Sequence, residues 1–286
     1  MTLGETYTRK GKVRLSLPLL GINWGGTLNP YLAIPLEDKV TVTVYSNSDL
    51  KDIAIDLQLQ EPSEVLLNRL FQTMRTITKI YYEITNKHAE HPRFAIEAKT
   101  ESTSYLPLVS LYASIASLSA YLIFKSTGYP LDLDELMEIL QIAWKLEGVP
   151  ENIRSLYSSL VLSSFKNKAI LYRDSSEYLD LAEVNLKLGD KGTFIELYPD
   201  NLSDKLGPET ASALTKLEGV ALIEAATRLN MALAEHGETD VFAILYPYIK
   251  IENALYYVLY NIVPRMSRCK YVQSINGVVE EICIAK

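Results

Sequence analysis

The chain has 286 residues, enough for one large domain or two packed lobes with a sizeable core. Hydrophobic residues make up 48% and charged residues 22%, the balance of a folded globular protein, which excludes a disordered chain. Lys+Arg 28 against Asp+Glu 35 leaves a net charge of −7, an acidic balance that argues against broad nucleic-acid binding while leaving room for a local cationic pocket.

The first sixty residues read as strands. Lys12 to Leu17 alternates, the turn 21–26 carries glycines, Val40 to Tyr45 is β-branched, and Ile53 to Leu59 alternates apolar with polar. Pro62-Ser63-Glu64 opens an amphipathic helix whose expected buried side holds Leu66, Leu67, Leu70, Phe71, Met74, Ile77 and Tyr81. A polar loop follows, with His88, Glu90 and His91 close together; two histidines and a carboxylate are zinc-ligand types, but the simpler reading is a polar loop before Pro92. Phe94 to Ala98 is a short strand.

Tyr105 to Phe124 has no charged residue and is about as long as a bilayer span. Its serines at 110, 114 and 117 share one helical face beside Ala113, Ala116 and Ala120, which suits a central helix pressed against a sheet; no membrane role is expected. Asp132 or Asp134 caps a helix ending near Leu146. Leu160 to Phe165 and Ala169 to Tyr172 read as a hairpin around Lys166-Asn167-Lys168. Leu181 to Leu188 and Thr193 to Tyr198 read as strands joined by a tight turn, Gly189 to Gly192. Pro208 to Glu235 is a long helix or helix pair, with His236 a dipole partner at its C-terminus, and Glu252 to Val263 is another helix. Lys270 to Ile275 and Val278 to Ile284 form a hairpin through Asn276-Gly277. The order predicts an α+β protein in two lobes, 1–178 and 179–286.

The two cysteines, Cys269 and Cys283, lack metal-ligand spacing, and no apolar leader opens the chain; a cytoplasmic protein is expected. No Ser-His-Asp or Cys-His arrangement is visible, nor a Gly-x-x-x-x-Gly-Lys-Ser/Thr loop.

Four segments in order carry a family resemblance. Trp24 and Gly25 follow Leu20-Gly21-Ile22-Asn23, and Ile34-Pro35-Leu36 leads into the Val40 strand. In the stretch 107–116, Pro107, Ser114 and Ala116 match a Pro-x-x-x-Gly-Leu-x-Ser-Ser-Ala pattern, with Leu111 at the glycine. Arg154-Ser155-Leu156-Tyr157-Ser158-Ser159 resembles Arg-Ser-Leu-Phe/Tyr-Gly-Gly. Ile249 to Ala254 aligns with Asp-Ala-Gly-Pro-Asn-Ala, Ile249 standing at the aspartate.

Together these resemble the GHMP kinase superfamily, in particular diphosphomevalonate decarboxylases and mevalonate 3-kinases. The resemblance implies a two-lobed fold, with an N-terminal lobe of ribosomal protein S5 domain 2-like type and a ferredoxin-like C-terminal lobe. It implies Mg2+ and ATP as cofactors and a mevalonate-type hydroxy acid, or its phosphate, as ligand. Arg154 would be the catalytic residue that grips the carboxylate, helped by Asn23, Ser155 and Ser158, while Ser110 and Ser114 would sit at the phosphates. Glu151 falls where the decarboxylases carry a serine. The substituted aspartate, glycines and lysines support an alternative, a catalytically inactive binding or assembly protein on the same fold, with a homodimer as one option. In either case no nucleic acid or membrane partner is expected.

Overall fold

The computed structural model describes residues 8–22, 30–47, 53–59, 63–85, 93–102, 105–126, 128–174, 177–195, 207–236, 240–262, 268–275 and 279–285. Strands β1 (Thr8–Leu20) and β2 (Tyr31–Asn47) pair antiparallel along most of their length. The other edge of β2 is shared. Its C-terminal half pairs β4 (Arg93–Thr100), which carries β3 (Ala54–Gln58) in parallel, and its first residues pair β5 (Ile170–Asp174), which carries β6 (Glu177–Asp180). A second sheet has the order β7 (Leu188–Ile195), β9 (Val279–Ile284), β8 (Cys269–Gln273).

Helices α1 (Glu64–Thr85), α2 (Leu108–Ser126) and α4 (Glu151–Lys166) pack on the first sheet, and α3 (Leu133–Leu146) packs on these three helices. Two more, α5 (Pro208–His236) and α6 (Val241–Tyr260), lie between β7 and β8 in the chain. The uncharged stretch forms α2, and 89% of its most apolar window is buried inside the protein, so this is a core helix. Its small residues allow close packing on β1. At the contact, Gly11 lets Leu118 approach closely: a Cβ there would lie 2.9 Å from Leu118 Cδ1, and the leucine side chain would have to shift. One apolar core runs from β1 and β2 through α2 and α4 to Leu188, Leu222, Leu245 and Ile282, so both sheets share it.

Several expectations meet their reasons here. Asp132 is the N-cap of α3: its side chain accepts from Glu135 N, and the Glu135 carboxylate accepts from Asp132 N, a complete capping box. The expected hairpin at 160–172 is different. Residues 160–165 finish α4, and Asn167, in the left-handed conformation with φ 55°, ends it before β5. A short apolar run buried on every side has no period that separates helix from strand. The turn expected at 189–192 is instead a bulge within β7. Leu188 pairs Ile284 but Gly192 pairs Ile282, so two extra residues are absorbed without reversing the chain. In β8 and β9, Cys269 stands opposite Cys283 and the two are joined by a disulfide, which their spacing did not suggest.

Candidate functional site

The last residues of β1, the first turn of α2 and one face of the second sheet meet at a single polar place. Lys270 lies two residues from Val272 on β8, and Val272 pairs Glu280 on β9, so Lys270 and Glu280 project from the same face. Each is a charged group in a strand whose residues are all buried.

Glu280 is placed at the N-terminus of α2. Both carboxylate oxygens accept from Leu108 N, at 3.0 and 3.1 Å, and Tyr105 OH donates at 2.7 Å; Ser274 Oγ donates as well. A helix N-terminus presents unsatisfied N–H groups and the positive end of the dipole, and this is where an anion is best stabilised. Here the anion is supplied by the chain itself. Burial still outweighs these donors and raises the Glu280 carboxyl above the usual range.

The second group surrounds the end of β1. Lys270 Nζ donates to Glu252 Oε2 at 2.9 Å and to Leu19 O, with side-chain exposures of only 1% and 7% for the lysine and glutamate. Glu252 Oε1 accepts from Gly21 N at 2.6 Å, and Glu218 Oε1 accepts from Ile22 N at 2.7 Å. Gly21 has φ 124°, and a Cβ there would stand 2.4 Å from Tyr31 Cδ1, so the turn needs glycine. Burial and the neighbouring Glu252 carboxylate push Glu218 well above the usual carboxylate range. The same surroundings raise the Tyr31 phenol, whose buried OH has no partner among the described residues.

The residues singled out from sequence fall elsewhere. Ser110 and Ser114 are wholly buried within α2: Ser110 Oγ donates to Ser16 O at 2.6 Å, and Ser114 Oγ lies 3.4 Å from Ser164 Oγ. Both hydroxyls therefore tie α2 to its neighbours. In the hexapeptide, Tyr157 packs its ring 4.8 Å from Tyr112 and 5.3 Å from Trp144 in the core. Ser155 Oγ donates to Glu151 O at 3.1 Å, Ser159 Oγ to Leu156 O at 2.7 Å, and Ser158 Oγ accepts from Gln141 Nε2.

Of the six, Arg154 and Ser155 line an opening. It is a cleft of about 600 Å3 between α3, α4, β5 and β6, where the buried Nε of Arg154 has no partner among the described residues. Asp134, Glu138 and Glu151 line it too, three carboxylates to one guanidinium. Asn23, with Trp24, Gly25 and the 88–91 loop, lies outside the described residues. Ile249 to Ala254 lies inside α6, not at a helix start. Ile249 is core, and Asn253 fastens β8 by bonding Cys269 O and Tyr271 N.

The groups that sequence reasoning passed over are thus Glu218, Glu252, Lys270 and Glu280. One signal was available: Lys270, Glu280 and Glu281 interrupt otherwise apolar strands, and a buried charge must find a partner.

Would this place hold Mg2+ and ATP? The start of α2 already holds a buried carboxylate on its first amide, so that amide is taken and a triphosphate there would face a like charge. The residues present do not fit the group.

No protein-family model matches the sequence, and no curated protein matches it. Solved structures do. L. major mevalonate kinase, solved with R-mevalonate, aligns over 99% of this chain and 90% of its own, with TM-score 0.62 and 8% identity. The mevalonate diphosphate decarboxylase of Enterococcus faecalis aligns over 98% and 89%, with TM-score 0.58 and 10% identity. Mevalonate-3-kinase of Thermoplasma acidophilum, bound to mevalonate 3-phosphate and ADP, aligns over 97% and 88%, with TM-score 0.55 and 10% identity. The likeness is one of architecture, spread over nearly the whole chain: the fold is the one these two kinases and the decarboxylase share.

Proposed function

We propose that this chain is a catalytically silent GHMP-fold protein that works by binding or assembly, built from units 1–178 and 179–286. One observation carries the reading: Glu280 accepts from the first amide of α2, the place where the family resemblance would put phosphates. Two further features support it. Ser110 and Ser114 spend their hydroxyls inside the core, and Ile249, aligned with the family's aspartate, is an apolar residue within a helix. Phosphoryl transfer depends on positioning and on charge neutralisation around the phosphates, and a buried carboxylate at that point opposes both.

A second reading is ATP-dependent phosphorylation of a mevalonate-type hydroxy acid, with Arg154 holding the carboxylate. It is favoured by the unpartnered Arg154 Nε on an open cleft. Against it stand Asp134, Glu138 and Glu151, which repel an acid from the same cleft.

An ADP-release assay with Mg-ATP and mevalonate, or its phosphates, decides between the two. The silent reading expects no ADP above the protein-free rate from the wild type or from Arg154→Ala. ADP production that disappears in Arg154→Ala overturns it.

A further inference from the structure

At the far end of β1 and α2 from Glu280, the surface has the opposite character. Lys10, Lys12 and Arg14 sit at alternate positions of β1, Lys39 is the cross-strand partner of Arg14 on β2, and Lys125 closes the last turn of α2. All five line one cleft of about 560 Å3, and among the described residues no carboxylate lines it. The chain as a whole carries −7, so this concentration of positive charge runs against its composition.

Fold requirements do not account for the cluster. A cation at the end of α2 complements the helix dipole, which explains Lys125. It does not explain Arg14 facing Lys39, because like charges directly opposite on paired strands are destabilising. Among the described residues a single carboxylate, Glu101, pairs with the set; it binds Lys12 at 3.2 Å on the open surface. Other members are positioned rather than neutralised. Arg14 Nη1 reaches Leu36 O at 3.5 Å, and Lys125 Nζ lies 5.3 Å from the Tyr121 ring centroid. Tyr121 and Phe165, ring centroids 6.3 Å apart and edge to face, supply an apolar wall beside the charges.

We propose that this cleft binds a small organic diphosphate. Arg14 offers a planar fork that matches phosphate oxygens, Lys10 and Lys39 add point charges beside it, and the rings take the organic part. The volume lies within the usual range for small-molecule sites. The cleft shares no residue with the group around Glu280 and Lys270, so it is a second site, independent of whether the first has any activity.

Calorimetric titration with pyrophosphate and with ADP, each at low and at physiological salt, tests it. Lys10 and Lys39 are exposed, so a Lys10→Gln/Lys39→Gln variant keeps its fold. Both probes are expected to bind the wild type, more weakly as salt rises. The double variant should bind about tenfold less tightly, the equivalent of roughly 1.4 kcal/mol. Glu280→Gln should bind as the wild type does. Tighter binding of ADP than of pyrophosphate assigns the difference to the rings; equal binding assigns recognition to the diphosphate alone, and either supports the site. No binding at millimolar probe overturns the proposal. So does binding that survives the double variant, or that changes only in Glu280→Gln.

Discussion

The two ends of α2 treat charge in opposite ways. At its start, every charged group described has an internal counterpart: Glu280 has the α2 amide, Tyr105 and Ser274, while Lys270 has Glu252 and Leu19 O. At its end, five cations gather on a cleft that no carboxylate lines among the described residues. Charges that are buried must be satisfied by the fold, because an unpaired one costs several kcal/mol. Charges on an open surface carry no such demand and remain available to a ligand. The region that resembles an active site in sequence is the one whose electrostatics are closed, and the open one has no motif.

This contrast breaks most visibly at Lys270. Lys270→Met leaves Glu252 buried at 7% exposure without its cation, and should cost about 3–5 kcal/mol in urea unfolding. Replacing both, Lys270→Met/Glu252→Leu, should recover most of that loss, since the pair itself is worth little against a packed apolar substitute. Equal loss in the single and double variants would show that Lys270 acts through Leu19 O and not through the carboxylate.

Glu280→Ala comes next. It strips the acceptor from Leu108 N, Tyr105 OH and Ser274 Oγ together, with an expected cost of about 1–3 kcal/mol. Hydrogen exchange should open locally at the first turn of α2. An unchanged unfolding midpoint would mean that water replaces the carboxylate freely, and the start of α2 would then be as open as its end.

The pH dependence follows from the same closed end. Glu218 and Glu280 have carboxyls raised by burial, so the folded state holds protons that the unfolded chain releases. Stability from these groups is present in full below the ordinary carboxylate range and is lost as pH rises through their folded values. Asp240 is lowered, chiefly by its hydrogen bonds from Arg268, so its contribution is lost only as pH falls below the ordinary range and does not oppose the trend. Unfolding midpoints should therefore be higher near about pH 5 than near about pH 8, with a shallower slope in Glu280→Gln.

How far the sequence reveals this depends on the range of the interaction. The capping box of α3 spans four residues, Asp132 to Glu135, and is legible because its chemistry is local. The small-residue face of α2 marks it as central for the same reason. Residues 160–165 of α4 do not read as helix from the sequence because burial on all sides erases their period. Glu280 and Leu108 are 172 residues apart, and Lys270 and Leu19 are 251 apart; strand alternation flags such charges as out of place but cannot name their partners. The hexapeptide was the reverse case. Its match to a motif is real at Arg154, yet Tyr157 and three serines are accounted for by packing and local hydrogen bonds. The basic cleft was partly legible, since Lys10, Lys12 and Arg14 alternate on one strand, but Lys39 and Lys125 join them only through the β1–β2 register and the length of α2.

The smallest expected effect tests the open end without any ligand. If Arg14 and Lys39 repel across β1 and β2, then Lys39→Gln removes a destabilising pair and should raise stability by about 0.2–1 kcal/mol at low ionic strength. The gain should fade toward zero at about 1 M salt, where the screening length shrinks to roughly 3 Å. A substitution that stabilises the free protein while weakening its grip on a diphosphate would separate the two ends of α2 on energetic grounds. At the start of the helix, stability and charge pairing would be lost together; at its end, one would be gained as the other is lost. A loss of stability in Lys39→Gln at low salt would instead place Lys39 among the groups that the fold needs, and the two ends would be alike.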